Sequence, residues 1–136
     1  MYKNILVAID PAHEERHQTA LAMARRLAED TTAVITAITV VEQAPSYMKA
    51  ELLPEIEARA GELAMATLRH VVGELSEIRT VLRHGKPANE ILGYAEGNGV
   101  DCIVISSHRP GVADYFLGST AARVVRHAQC SVHVMR

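Results

Sequence analysis

Five short runs of aliphatic and β-branched residues recur along the chain, and polar-apolar segments of helical period separate them. The first run, "NILVAID" (4–10), is apolar from Ile5 to Ile9, as a strand buried on both faces would be. In residues 13–30, Ala20, Leu21, Ala24 and Leu27 recur at helical spacing, which predicts an amphipathic helix. "AVITAITVV" (33–41) is a second continuous β-type run. The segment "ELLPEIEARAGELAMATLRHVVGEL" predicts a long amphipathic helix beginning near or after Pro54, because proline is tolerated in a first turn. Residues 78–85 predict a third strand. Pro87 then opens a helix that Gly97 or Gly99 ends. "DCIVISS" (101–107) predicts a fourth buried strand. A loop with Pro110 and Gly111 leads to a helix from Ser119, and "SVHVMR" (131–136) predicts the last strand.

Strands that alternate with helices and are apolar throughout predict an α/β fold: a parallel sheet covered by helices on both faces. Ligands of such sheets sit beyond the carboxyl ends of strands, where the strand order reverses. Here those ends are Ile9-Asp10, Val40-Val41 and Ile105-Ser106-Ser107, and the expectation is that they meet at one crevice.

Size and composition narrow the classes. The 136 residues suit one domain, and a hydrophobic fraction of 49% supports a core. With no Trp and one Phe, that core must be aliphatic. A formal net charge of −2 argues against sequence-independent nucleic-acid binding, which needs a basic face. No apolar run approaches the ~20 residues of a membrane span. The start "MYKNILVAID" lacks signal-peptide anatomy, so a cytoplasmic protein is expected. Cys102 and Cys130 are expected to be buried free thiols rather than a disulfide framework.

The densest candidate chemistry lies near the end of the chain. Gly118, Ser119 and Thr120 precede a run of good helix formers, Ala121 to Ala128. The free N–H groups and dipole of a helix start favour an anion. A hydroxyl there can cap the helix, bind a phosphate, or do both. Asp10 could accept a hydrogen bond from a base amino group or a ribose hydroxyl, or cap the following helix as a turn residue. Neither a G-x-G-x-x-G fingerprint nor a P-loop is present. "SSHRPG" holds a Ser-His pair without a G-x-S-x-G elbow, which disfavours a hydrolase triad. His127, Cys130 and His133 span a helix end and a strand, a spacing that splays them, so dipole compensation and packing are preferred over a metal site. Arg123 and Arg126 read as solvated charge, and Met48 and Met65 as packing residues.

With "NILVAID", "HGKPANEIL", "DCIVISSHRP" and "FLGSTAARVVRHAQCSVHVMR" in view, the chain resembles the universal stress protein family over essentially its full length, and a subgroup carrying a Ser-His-Arg-Pro loop in particular. The resemblance implies a single domain over 1–136, Rossmann-like (adenine nucleotide alpha hydrolase-like). It implies a five-stranded parallel sheet of order 3-2-1-4-5, dimerisation, and in many members bound ATP or AMP. The family motif is G-x-x-G-x9-G-[ST]. Gly118-Ser119 keeps its second half, whereas Ser106 and Arg109 stand where the two loop glycines belong, with eight residues between Arg109 and Gly118. Arg109 adds a planar cation suited to phosphate.

By position, the resemblance implies that Ala8, Ile9 and Asp10 border the adenine, with Val40 as an apolar wall. Ile105, Ser106 and His108 lie near base and ribose, and Arg109, Gly118, Ser119 and Thr120 hold the phosphates. The function implied is a nucleotide-binding stress sensor or regulator using ATP or AMP, with Mg²⁺ as a candidate companion. At most slow ATP hydrolysis is expected, because no general base is evident. The alternatives are an interaction module that binds no nucleotide, or a small hydrolase using Ser107 or His108. Residues 131–136 would form an edge strand without proline or lysine, so a homodimer through that edge is expected, alone or within a tetramer.

Overall fold

A computed structural model of the chain describes residues 1–11, 16–29, 32–44, 46–73, 77–107 and 117–136. In chain order the elements are β1 (Asn4–Ala8), α1 (His17–Ala28), β2 (Val34–Val41), α2 (Leu53–Val72), β3 (Ile78–His84), α3 (Pro87–Gly97), β4 (Cys102–Ser106), α4 (Ser119–His127) and β5 (Ser131–Met135). Each apolar run of the sequence is a strand, and each segment of helical period is a helix. Residues 13–15 and 30 of the helix expected over 13–30 lie outside the described residues. Pro54 sits in the first turn of α2 and Pro87 in that of α3, where a missing N–H costs nothing. Gly99, at φ +64°, allows the turn between α3 and β4.

The strands form one sheet of order β3-β2-β1-β4-β5, and all four pairings are parallel. β1 is therefore central. Its Ile5, Leu6 and Val7 are fully buried, as period-2 side chains must be when helices cover both faces. Ile5 and Val7 join Ala20, Leu21 and Ala24 of α1 and Leu68, Val71 and Val72 of α2 in one core. Leu6 and Ile103 face the other way, against Ala88, Ile91 and Ala95 of α3 and Ala121 and Val124 of α4. The expected doubly wound α/β fold and its strand order are thus present.

Asp101 fastens the amino ends of the strands. Its carboxylate accepts from the backbone N–H of Lys3 (2.8 Å) and of Asn4 (3.0 Å). Its own N–H donates to the Asn4 carbonyl at 3.0 Å, and its carbonyl accepts from Ser131 at 3.3 Å. One residue thereby joins the starts of β1, β4 and β5. Cys102 follows it and is fully buried. Both thiols are free, but only Cys102 is buried as expected, inside the cluster on one face; Cys130, in the turn after α4, is half-buried and packs against the edge of the cluster on the other face. Burial first, then the neighbouring Cys130 and Asp101, push the Cys102 thiol from 9.0 up to about 11, against a smaller lowering by a hydrogen bond from Tyr2. Burial raises Cys130 as well.

Two predictions follow from this end of the sheet. Asp101→Ala removes a charged acceptor from two backbone donors, one of them exposed, and should cost about 1–2 kcal/mol in urea unfolding. The second concerns the thiols. At about pH 8, where an ordinary thiol is partly ionised, an alkylating reagent should leave Cys102 unmodified in the native protein and modify both cysteines in denaturant. The folded state alone resists forming the Cys102 thiolate, so the stability this group contributes is complete below pH 9.0 and is lost as pH rises toward about 11.

Candidate functional site

The carboxyl end of β1 is held at both sides. Beyond the last β1 residue, Ile9 donates its N–H to the Ile38 carbonyl at 2.8 Å. The buried Thr39 hydroxyl donates to the Ile9 carbonyl at 3.0 Å. Thr39 thus fixes where the chain leaves the sheet and presents Asp10. On the other side, Ser107 donates its N–H to the Met135 carbonyl at 2.8 Å, and Gly118 donates to the Ser107 carbonyl at 3.0 Å. These bonds tie the exits of β4 and β5 to the start of α4.

Gly118 has an explanation in packing. Its φ of −57° is open to any residue, but a Cβ there would stand 3.2 Å from the Ser107 carbonyl oxygen. The glycine lets α4 start against the β4 exit. It also occupies the N-cap position, where its carbonyl accepts from Ala122 at 2.9 Å. No side chain caps α4, so the cap role considered for a hydroxyl is not seen. The reason is register: Ser119 and Thr120 are the first two helical residues, one step past the cap. The N-cap of α1 is Arg16, without a side-chain cap bond, and residues 12–15 between Asp10 and that start lie outside the described residues.

Between these two anchored exits lies a cavity of about 780 Å³. Of the residues singled out in the sequence, Ala8, Ile9 and Asp10 of the β1 exit and Val40 of β2 line it, as do Ile105 and Ser106 of β4 and Gly118, Ser119 and Thr120 at the α4 start. Residues distant in sequence converge here because β1 lies between β2 and β4, with α1 leaving to one face and α4 arriving on the other. His108 and Arg109 lie outside the described residues, as do the other loop residues 110–116. Ile9 and Ile105 are buried, Ala8, Val40, Ser106, Gly118 and Thr120 are half-buried, and Asp10 and Ser119 are exposed.

The cavity also has a wall that the sequence patterns did not single out. Arg16 and the buried His17 line it from the α1 start, and Ala60, Leu63, Ala64 and Thr67 line it from α2. Ala60, Ala64 and Thr67 lie on one face of α2 at i, i+4, i+7, a spacing visible in the sequence but equally expected of a helix packed on a sheet. Arg16 could not be found that way, because nothing in "HEERHQ" distinguishes it from a solvated charge.

The starts of α1 and α4 therefore face one space from opposite sides of the sheet, and neither has an acidic residue in its first turn. The lining is apolar along β1, β2 and the β4 exit through Ile9, Ile38, Val40 and Ile105, and it carries hydroxyls at Ser106, Ser107, Ser119 and Thr120. Such a site can receive a flat apolar group at one side and an anion at the other. Among the described residues no group of three or more His, Cys, Asp and Glu is placed to hold a metal ion. Arg123 and Arg126 are exposed, as solvated charges are, and Met65 packs on the core. Among those residues no helix is long and apolar enough to cross a membrane.

Comparison with known proteins agrees with this architecture. Universal stress protein G of Escherichia coli O157:H7 is 29% identical over 143 residues, covering 100% of both chains. The solved universal stress protein UspA from Lactobacillus plantarum superposes with a TM-score of 0.80 at 29% identity, covering 99% of this chain and 98% of that one. Two more distant structures share the fold and hold nucleotides. One is a universal stress protein in complex with cAMP (TM-score 0.65, 17% identity, 99% and 97% covered). The other is the Archaeoglobus fulgidus protein in complex with dAMP (TM-score 0.60, 21% identity, 99% and 98% covered). The model of the universal stress protein family matches residues 1–136, and with its sheet order and its cavity at the reversal point the chain belongs to that family.

Proposed function

We propose that this protein binds an adenine nucleotide, ATP or AMP, at the carboxyl ends of β1 and β4, and acts as a stress-response sensor or regulator. The observation that carries the reading is the cavity itself. Its volume of about 780 Å³ lies in the ordinary range for small-ligand pockets, and it sits at the reversal of strand order, with an apolar wall and an open helix start at its two sides. The cAMP and dAMP complexes of relatives support an adenine nucleotide as the class of ligand. In this reading Ile9 and Val40 flank the base and Asp10 accepts from the base or ribose. Ile105 and Ser106 lie beside the sugar together with His108, and Arg109 joins Gly118, Ser119 and Thr120 at the phosphates, where Mg²⁺ can accompany ATP.

The helix start does most of the phosphate binding. The first N–H groups of α4 have no intrahelical acceptor, and its dipole favours negative charge. The side chain of Ser106 narrows the approach that a glycine would leave open, which favours a second reading: an interaction module in which the cavity takes no nucleotide. On this reading the protein works by binding, with hydrolysis of ATP slow at most.

We also propose a homodimer through β5, with a tetramer as a further assembly. β5 is the edge next to β4, and Val132, His133, Val134 and Met135 remain half-buried on a strand with no proline or lysine. Two such edges related by a two-fold axis can pair antiparallel and satisfy each other's backbone groups.

Two measurements test these readings. In calorimetric titration the protein should bind ATP or AMP, and Ser119→Ala should weaken that binding by about 0.5–1.5 kcal/mol, one hydrogen bond. Ser119 is the cleaner test than Gly118, whose replacement also disturbs the Ser107 contact. No uptake of ATP, AMP or adenosine would favour the interaction module. In light scattering at micromolar concentration the intact chain should be at least a dimer, and Val132→Pro should shift it toward monomer while circular dichroism stays unchanged. A monomeric wild type overturns the edge-pairing proposal.

A further inference from the structure

Arg16 carries a consequence for which nucleotide the cavity prefers. It stands at the start of α1, in the cavity wall, with its side chain half-buried. Its Nη1 is shielded from solvent and has no hydrogen-bond partner among the described residues. Two carboxylates, Asp10 and Glu42, line the same cavity, and Nη1 bonds to neither. A guanidinium nitrogen left in that state loses its hydration without compensation, a cost that an arriving anion would relieve. A guanidinium is always charged, and its planar donors match phosphate oxygens.

Position says which phosphate. α4 packs on one face of the sheet through Ala121 and Val124, whereas α1 packs on the other through Ala20, Leu21 and Ala24. Arg16 and Ser119-Thr120 therefore approach the cavity from opposite faces, across the ends of β1 and β4. A single phosphate seated on the α4 start engages one side only. An extended polyphosphate that begins there can continue toward α1, where no acidic residue in the first turn opposes it.

We propose that Arg16 anchors the outer phosphates of a nucleoside polyphosphate, so that this site prefers ATP to AMP. The proposal rests on the nucleotide reading above and assigns a specificity residue within it. Arg16 acts as a direct ligand of the phosphates, and the phosphate-free nucleoside does not sense it. By the same logic the contribution of Arg16 weakens as salt screens the pair.

The test is calorimetric titration of wild type, Arg16→Gln and Arg16→Lys with ATP, AMP and adenosine, with thermal unfolding to verify each fold. Arg16→Gln should weaken ATP roughly ten- to a hundredfold, the value of a charged hydrogen bond, and leave AMP and adenosine within about threefold. Arg16→Lys, which keeps the charge without the planar fork, should retain part of the ATP affinity and serves as the variant of record if glutamine prevents folding. Unchanged ATP affinity, or an equal loss for ATP, AMP and adenosine, overturns the Arg16 assignment and leaves the nucleotide site standing. An equal loss for ATP and AMP with adenosine spared overturns the outer-phosphate placement. Wild type that takes up none of the three overturns the nucleotide reading and this assignment with it.

Discussion

The position of β1 is the constraint on which the rest of the structure depends. It is hydrogen-bonded along both edges, to β2 and β4, and buried on both faces through Ile5, Leu6 and Val7. A strand so enclosed can accept only apolar side chains, and each of the three has no exposed surface to lose before packing worsens. Because β2 and β4 flank it, the chain must wind one way for β1 to β3 and the other way for β4 and β5. The crevice at the β1 and β4 exits is a consequence of that reversal. The cavity is built by topology before any side chain in it contributes.

What makes the crevice chemically useful is the way its rims are fastened. Thr39 bonds the carbonyl of Ile9 across from β2, and the Ser107 backbone joins Met135 to Gly118. Neither Thr39 nor Ser107 needs to touch a ligand to matter. They hold the Asp10 turn and the α4 start at defined places, which is how a site on loops acquires the precision of the sheet beneath it. At the opposite end, Asp101 does the corresponding work for the amino ends of β1, β4 and β5. The sheet is clamped at one end by a carboxylate and at the other by backbone bonds that leave a cavity between them.

Electrostatics then divide the cavity. Two helices present their starts to it without an acidic residue in either first turn, and a guanidinium nitrogen is shielded in its wall. Carboxylates at Asp10 and Glu42 share the lining. A ligand with a neutral hydrogen-bonding portion and a strongly anionic portion matches that division better than one that is uniformly charged, because each part meets its complement and little is desolvated without return.

The sequence by itself determined the elements and their order. Short β-branched runs such as "NILVAID" and "DCIVISS" fit strands covered on both faces, and Ala20, Leu21, Ala24 and Leu27 share one helical stripe whatever lies opposite. Pro54, Pro87 and Gly99 marked helix limits for local reasons, fixed φ at the prolines and positive φ at Gly99. Strand order came through the family resemblance of the tail, and the sheet has that order. Only the tertiary structure decided what each site residue meets. Gly118 was legible as part of a helix start, but that it lies against the Ser107 carbonyl depends on β4 and α4 docking. The hydroxyls of Ser119 and Thr120 were legible as cap candidates, yet the cap fell to Gly118, since a shift of one residue in where a helix begins is settled by packing. Arg16 was invisible in "HEERHQ" because burial of one nitrogen of a charged side chain is a property of its neighbours in space, and those come from segments far away in sequence.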